Sequence, residues 1–153
     1  MKKLKSINLI LLFLLFVSCG YSPLYKDLSN LNFSITLNEL NGDRKINNLI
    51  KSKLNTHNSN DAEKIYDIDI NTKYTKDIIA KDTTGAATEY KLTINASFKV
   101  SSINYEKEFI FKENFNMKSI NDKLEEQDYE ENIKFNLVNI ITKKLILQLS
   151  LIK

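Results

Sequence analysis

The chain has 153 residues and a formal net charge of +3, with only three glycines, one proline and one cysteine. Its excess positive charge lies in Lys2, Lys3 and Lys5; from Cys19 onward basic and acidic side chains balance, 19 of each, which removes the electrostatic argument for nucleic-acid binding. The scarcity of glycine and proline argues against a loop-rich or disordered chain, and Cys19–Lys153 is long enough for one ordinary domain.

Residues 1–18 open with lysines, continue through an apolar run from Leu9 to Val17, and end on the small residue Ser18. That is the layout of a secretory signal peptide, and the run is shorter than the roughly 20 residues a spanning helix needs. Phe16-Val17-Ser18-Cys19 resembles the lipobox of bacterial lipoproteins, with Phe16 where leucine is usual. The resemblance implies diacylglycerol on the Cys19 thiol, cleavage between Ser18 and Cys19, and acylation of the new amino terminus. The alternative is a plain signal peptide followed by an ordinary buried thiol. Cys19 has no second cysteine for a disulfide, and lipidation removes a thiol that an oxidising compartment would leave as a liability. Gly20, where aspartate would signal retention, implies the outer membrane by similarity to sorting in enteric bacteria.

The lipidated tether is expected over 19–31 and the domain over 32–153. Pro23 restrains the tether, and Tyr21, Leu24 and Tyr25 suit packing on the domain or lying at lipid headgroups. Asn32–Asn38 alternates, with Phe33, Ile35 and Leu37 on one face, which predicts a half-buried strand. Asn41-Gly42-Asp43 reads as a turn with Asp43 as helix N-cap, and Ile46, Leu49, Ile50 and Leu54 predict a helix to about residue 55. A second strand is expected from Lys64 to Ala80, with Tyr66, Ile68, Ile70, Thr72 and Tyr74 opposite Asp67, Asp69, Asn71 and Lys73. After a loop at 82–87, a third strand sets Tyr90, Leu92, Ile94, Ala96, Phe98 and Val100 against polar neighbours. A hairpin at 101–105 leads to a fourth strand, Tyr105–Met117, with Tyr105, Lys107, Phe109, Phe111 and Phe115 on one face. Ser119 or Asn121 is the expected cap of a final helix whose acidic start and Lys143 and Lys144 near its end complement the helix dipole. Its stripe is Ile133, Leu137, Ile140, Ile141 and Leu145, widened by Val138 and Leu149. The order β-α-β-β-β-α predicts an α+β two-layer sandwich, a four-stranded sheet packed by two helices with one wet face.

Chemistry-bearing constellations are nearly absent. His57 is the only histidine, in a polar stretch where a solvated side chain is the plainer reading than a base or ligand. No HExxH, CxxC, GxSxG or phosphate-loop pattern occurs, and with Cys19 acylated no thiol remains as a nucleophile. Asp67 and Asp69 point the same way from one strand, which suits a cation or a solubilising alternation. No catalytic residue, metal site or cofactor is expected. A hydrolase on a lipid tether lacks the nucleophile and base it needs.

Cys19-Gly20-Tyr21-Ser22-Pro23-Leu24-Tyr25 resembles the start of the LPS-assembly lipoprotein LptE family of alphaproteobacteria. The element order, the chain length, the long last helix and the segment Thr84-Gly85-Ala86-Ala87-Thr88-Glu89-Tyr90-Lys91-Leu92 are similar too. Glu89 stands where arginine is common, and Lys134, Lys143 and Lys144 are sparse counterparts of the arginines usual in the last helix. The resemblance implies a non-catalytic plug and assembly factor for the outer-membrane β-barrel LptD, together the translocon that inserts lipopolysaccharide into the outer leaflet. It implies anchoring to outer-membrane lipid, facing the periplasm. Lys73, Lys76, Lys91 and Lys99 are candidate lipopolysaccharide contacts, against a solvated surface for each. The rival reading is another outer-membrane lipoprotein serving a transport or secretion complex.

Overall fold

The computed structural model describes residues 33–57 and 62–152; Ser18, Cys19 and the tether lie outside them. The elements are β1 (Phe33–Gly42), α1 (Arg44–Leu54), a single 3-10 turn (Asn55–His57), β2 (Lys64–Lys81), β3 (Ala87–Ser102), β4 (Tyr105–Lys118) and α2 (Lys123–Ser150). The strands form one sheet in the order β1-β2-β3-β4. β1 runs parallel to β2, and the β2–β3 and β3–β4 pairs are antiparallel. Two helices over a four-stranded mixed sheet make the α+β sandwich that the alternation predicts.

The alternation places the core. Tyr66, Ile68 and Ile70 of β2, with Leu92, Ile94, Ala96, Phe98 and Val100 of β3, are buried against Ile46, Ile50 and Leu54 of α1 and Ile133, Leu137, Val138, Ile141, Leu145 and Leu149 of α2. Each such side chain contributes roughly 1.5–3 kcal/mol on leaving water. Met117 and Ile146 complete this core and Ile140 is exposed, so the apolar stripe of α2 is turned slightly from the expected one. Tyr66 is buried with no hydrogen-bond partner for its hydroxyl among the described residues; its ring packs edge-on against Phe33 at 5.5 Å.

Three boundaries differ from expectation, each for a local reason. β1 continues past Asn38 because a register shift between Leu37 and Leu40 absorbs an extra residue, and pairing with β2 resumes to Gly42; such a bulge hides the strand from a period-two reading. Asp122, rather than Ser119 or Asn121, caps α2, its carboxylate accepting from the backbone N–H of Leu124 at 2.8 Å and of Glu125 at 3.2 Å. α2 runs on to Ser150 with no basic residue in its last turn, so Lys143 and Lys144 lie inside the helix and the dipole is complemented only at the start. Among the described residues no helix is long and apolar enough to cross a membrane.

Gly42 joins β1 to α1 at φ +92, a conformation glycine alone adopts without strain. Asp43 follows, donating its backbone N–H to the Thr72 carbonyl at 3.0 Å and capping α1 by accepting from the Ile46 N–H at 3.0 Å. Thr72 donates its hydroxyl to Asn47 Oδ1 at 2.8 Å, and Asn47 Nδ2 donates to the Asn41 carbonyl at 3.0 Å. A Cβ on Gly42 would lie 1.8 Å from the Thr72 carbonyl oxygen. Gly42→Ala is therefore expected to destabilise the fold by about 2–4 kcal/mol, read as a lower urea midpoint with an unchanged denaturant slope.

Candidate functional site

Both helices lie on one face of the sheet, which leaves the other face open. Its rows follow from the register. Lys73 of β2 stands beside Asn95 of β3, which stands beside Lys112 of β4; Asn71, Ser97 and Ile110 form the next row, and Asp69, Lys99 and Glu108 the one after. On the other side of the lysine row lie Thr75, Thr93 and Asn114, then Asp77, Lys91 and Asn116. Amide and hydroxyl groups thus carry the centre of the face and cations punctuate it.

The four predicted cations fall into different settings. Lys99 pairs with Glu106 at 2.9 Å, and this hydrogen bond raises its pKa. Lys91 sits between Asp77 and Asn116 and makes no ion pair among the described residues. Lys73 is exposed in a row with no acidic member, two strands from Lys112. At about 4.8 Å per strand the two backbones are on the order of 10 Å apart, close enough for both ammonium groups to reach one phosphate or carboxylate-bearing ligand. Lys112 was not among the predicted cations; its sequence signal is the register that the Ile103-Asn104 turn imposes, which only a paired β3–β4 reading reveals. Glu89 is on this face too, with Lys118 as its cross-strand neighbour.

Lys76 belongs to the opposite face. It lies between two carboxylates of α2, Glu126 at 3.2 Å and Glu130 at 2.9 Å, over the Tyr90 ring. Glu130 also accepts from the Tyr74 hydroxyl at 2.8 Å and pairs with Lys134 at 2.7 Å. Lys134 reaches Glu131 at 3.1 Å, and Glu131 reaches Lys45 of α1 at 3.2 Å. Glu126 further accepts from the Ser119 hydroxyl at 2.9 Å and the Ile120 N–H at 3.0 Å. Lys134 of α2 is thus held within the fold, while Lys144 is exposed but paired with Glu113 of β4 and Lys143 is exposed as well. Burial alone would push Glu130 up, but hydrogen bonds from Lys134, Lys76 and Tyr74 outweigh it and hold its pKa at about 2. Burial and the Glu130 hydrogen bond raise Tyr74.

Asp69 accepts from the Glu39 backbone N–H at 3.3 Å, which ties its carboxylate to the irregular part of β1. Asp82 closes the loop before β3, accepting from Thr84 and the Ala86 N–H. Among the described residues no cluster of three or more His, Cys, Asp or Glu side chains is placed to hold a metal. The arrangement offers charge and hydrogen bonding over an extended surface.

No protein-family model matches the chain, and no curated protein matches its sequence. Solved structures do match. Rare lipoprotein B from Shewanella oneidensis superposes with a TM-score of 0.54 at 15% identity, covering 74% of this chain and 92% of its own. The minor lipoprotein from Acinetobacter baumannii superposes with a TM-score of 0.50 at 14% identity, covering 77% and 91%. The chain therefore shares the fold of these bacterial lipoproteins.

The ion network makes stability pH-dependent. Glu130 has a folded-state pKa near 2 against an ordinary 4.5, so its contribution is complete above about pH 4.5 and is lost as pH falls towards 2. Hydrogen bonds and lysine partners lower Glu126 and Glu131 as well, adding to the same acid loss. Glu130→Gln is expected to cost about 2–4 kcal/mol at pH 7, since it leaves the buried Lys134 and the half-buried Lys76 each short of a partner. The variant is also expected to flatten the stability profile between pH 5 and 2, measured by urea unfolding across that range.

Proposed function

We propose that the mature protein is a non-catalytic outer-membrane lipoprotein, anchored through acylated Cys19, that plugs and helps assemble an LptD-like β-barrel for lipopolysaccharide insertion. The observation that carries this reading is the open sheet face, whose rows across three strands are mainly Asn, Ser, Thr and lysine, with Asp69, Asp77 and Glu108 in the outer rows and Ile110 the apolar member. The lumen of an outer-membrane barrel is polar and wet, so a protein seated there needs a broad hydrophilic surface backed by a firm core. The Cys19–Tyr25 string supports the same reading, as does the shared fold with rare lipoprotein B. Lipopolysaccharide carries clustered phosphates, and the Lys73–Asn95–Lys112 row, with Lys91 two rows away, is the part of the face suited to them; Lys99 and Lys76 already have carboxylate partners.

Two measurements test the reading. Affinity purification of the full chain through a C-terminal tag, under conditions that preserve membrane complexes, is expected to recover a large barrel protein; recovery without one sinks the plug. Charge reversal at Lys73 and Lys112 together is expected to lower capture of labelled lipopolysaccharide on the order of tenfold, given roughly 0.2–1 kcal/mol for each exposed charge contact made or reversed. Lys143→Glu on the helical side serves as the control and leaves capture unchanged. Equal capture by all three proteins removes the lysine row from the site.

A further inference from the structure

The end of the domain where β1 begins gathers four pieces of chain. Phe33 starts β1 beside Lys64 of β2, Ile103 and Asn104 turn β3 into β4, and α2 ends at the same place, where Lys64 Nζ donates to the Ile152 carbonyl at 3.0 Å. Large apolar side chains face water there: Ile103 is 97% exposed, Leu151 65% and Ile65 56%. Nothing in the turn requires isoleucine. Tight turns favour Gly, Asn, Asp, Ser or Pro for their backbone and hydrogen-bonding properties, and this one contains no positive φ. The loop at the opposite end, around Asp82, Thr83, Thr84 and Gly85, has the polar composition expected of a tip.

Ile78, Ile79 and Leu124 are exposed towards that opposite end, along a strand and a helix start where charges of both signs stand, Lys81, Lys118 and Lys123 among Asp77, Asp82, Asp122 and Glu125, and they lie at the end of β2 away from Phe33. Around Ile103 the charges are mixed as well: Lys64 and Lys107 stand at this end with Glu63, Asp67 and Glu106, the last already paired with Lys99.

The chain leading to Phe33 supplies the second argument. From Cys19 it can reach no further than about 3.5 Å per residue, on the order of 50 Å. An acylated Cys19 therefore holds the Phe33 end of the domain close to the bilayer, and that is the end tipped by Ile103.

We propose that the Ile103–Asn104 turn, flanked by Leu151 and Ile65, rests in the phospholipid headgroup region of the membrane that holds Cys19. The turn is a second, reversible contact that sets the orientation of the domain on the lipid surface. The proposal rests on the lipid anchor of the preceding reading and is independent of the barrel.

The test uses the chain's single cysteine. Once acylated, Cys19 takes no thiol reagent, so an introduced cysteine is labelled alone. The full chain, matured in bacteria, is reconstituted into vesicles of phosphatidylethanolamine and phosphatidylglycerol with a spin label at Asn104→Cys or at Thr84→Cys. The label at 104 is expected to be several-fold more accessible to lipid-dissolved oxygen, and less accessible to an aqueous nickel chelate, than the label at 84. Adding Ile103→Asp returns it to aqueous values. Equal aqueous accessibility at both positions, or lipid exposure at 84 alone, overturns the proposal. Shielding of the label at 104 from both reagents also overturns it and assigns the turn to a protein contact. Labelling of the unsubstituted chain reports a free Cys19 and fails the anchor itself, separately from the turn.

Discussion

Two helices on one side of a four-stranded sheet leave the other side to water, and every strand has to satisfy that asymmetry. β2 and β3 each place apolar residues towards the helices and amides, hydroxyls and charges away from them along most of their length. A slip of one residue would exchange the two sets. The long alternation therefore specifies register as well as strand identity, and register decides which side chains stand together on the open face. Lys73, Asn95 and Lys112 are far apart in sequence and form one row because the β2–β3 and β3–β4 pairings bring them there.

The covered side is not wholly apolar. Towards the Asp82 loop the core gives way to carboxylates and ammonium groups joined to the Tyr74 hydroxyl, with Glu130 at the centre. Buried charge is expensive unless its partners are complete, and here Lys76 and Lys134 are matched by Glu126, Glu130 and Glu131, with Lys45 closing the set from α1. Such a cluster is directional where a greasy contact is not. It fixes where the first turns of α2 sit along β2, while the leucines and isoleucines of the later turns supply the bulk of the adhesion.

Most of the architecture was legible in the residues, because period-two and period-3.6 patterns report burial directly. Asp43 as a cap, the apolar faces of β2 and β3, and most of the α2 stripe follow from local spacing. What stayed hidden depends on contacts between segments. The bulge in β1 interrupts its own pattern, so Asn41 and Gly42, which pair with β2, read as a turn. Lys76 reads as one more surface lysine until Glu126 and Glu130 are brought above it, and Lys112 gains meaning only from two strands of register. Parallel pairing of β1 with β2 was likewise invisible, since alternation says nothing of strand direction.

That parallel pairing and the position of α2 have a consequence for how the chain is made. β1 is the first described element to leave the ribosome, yet among the described residues its strand neighbour is β2, which comes after α1. The meander β2–β3–β4 closes by short connections as it emerges, but its apolar face has no long helix over it until Lys123–Ser150 arrives. The last of the described elements to be made is the one that hides the core. Under the export that the proposed lipoprotein role entails, the chain would deliver a bare, sticky sheet to the far side of the membrane before its cover. On that reading the interval in which the face stays open is set by the rate at which α2 follows, and transient binding by a chaperone over that period would protect the chain from aggregation.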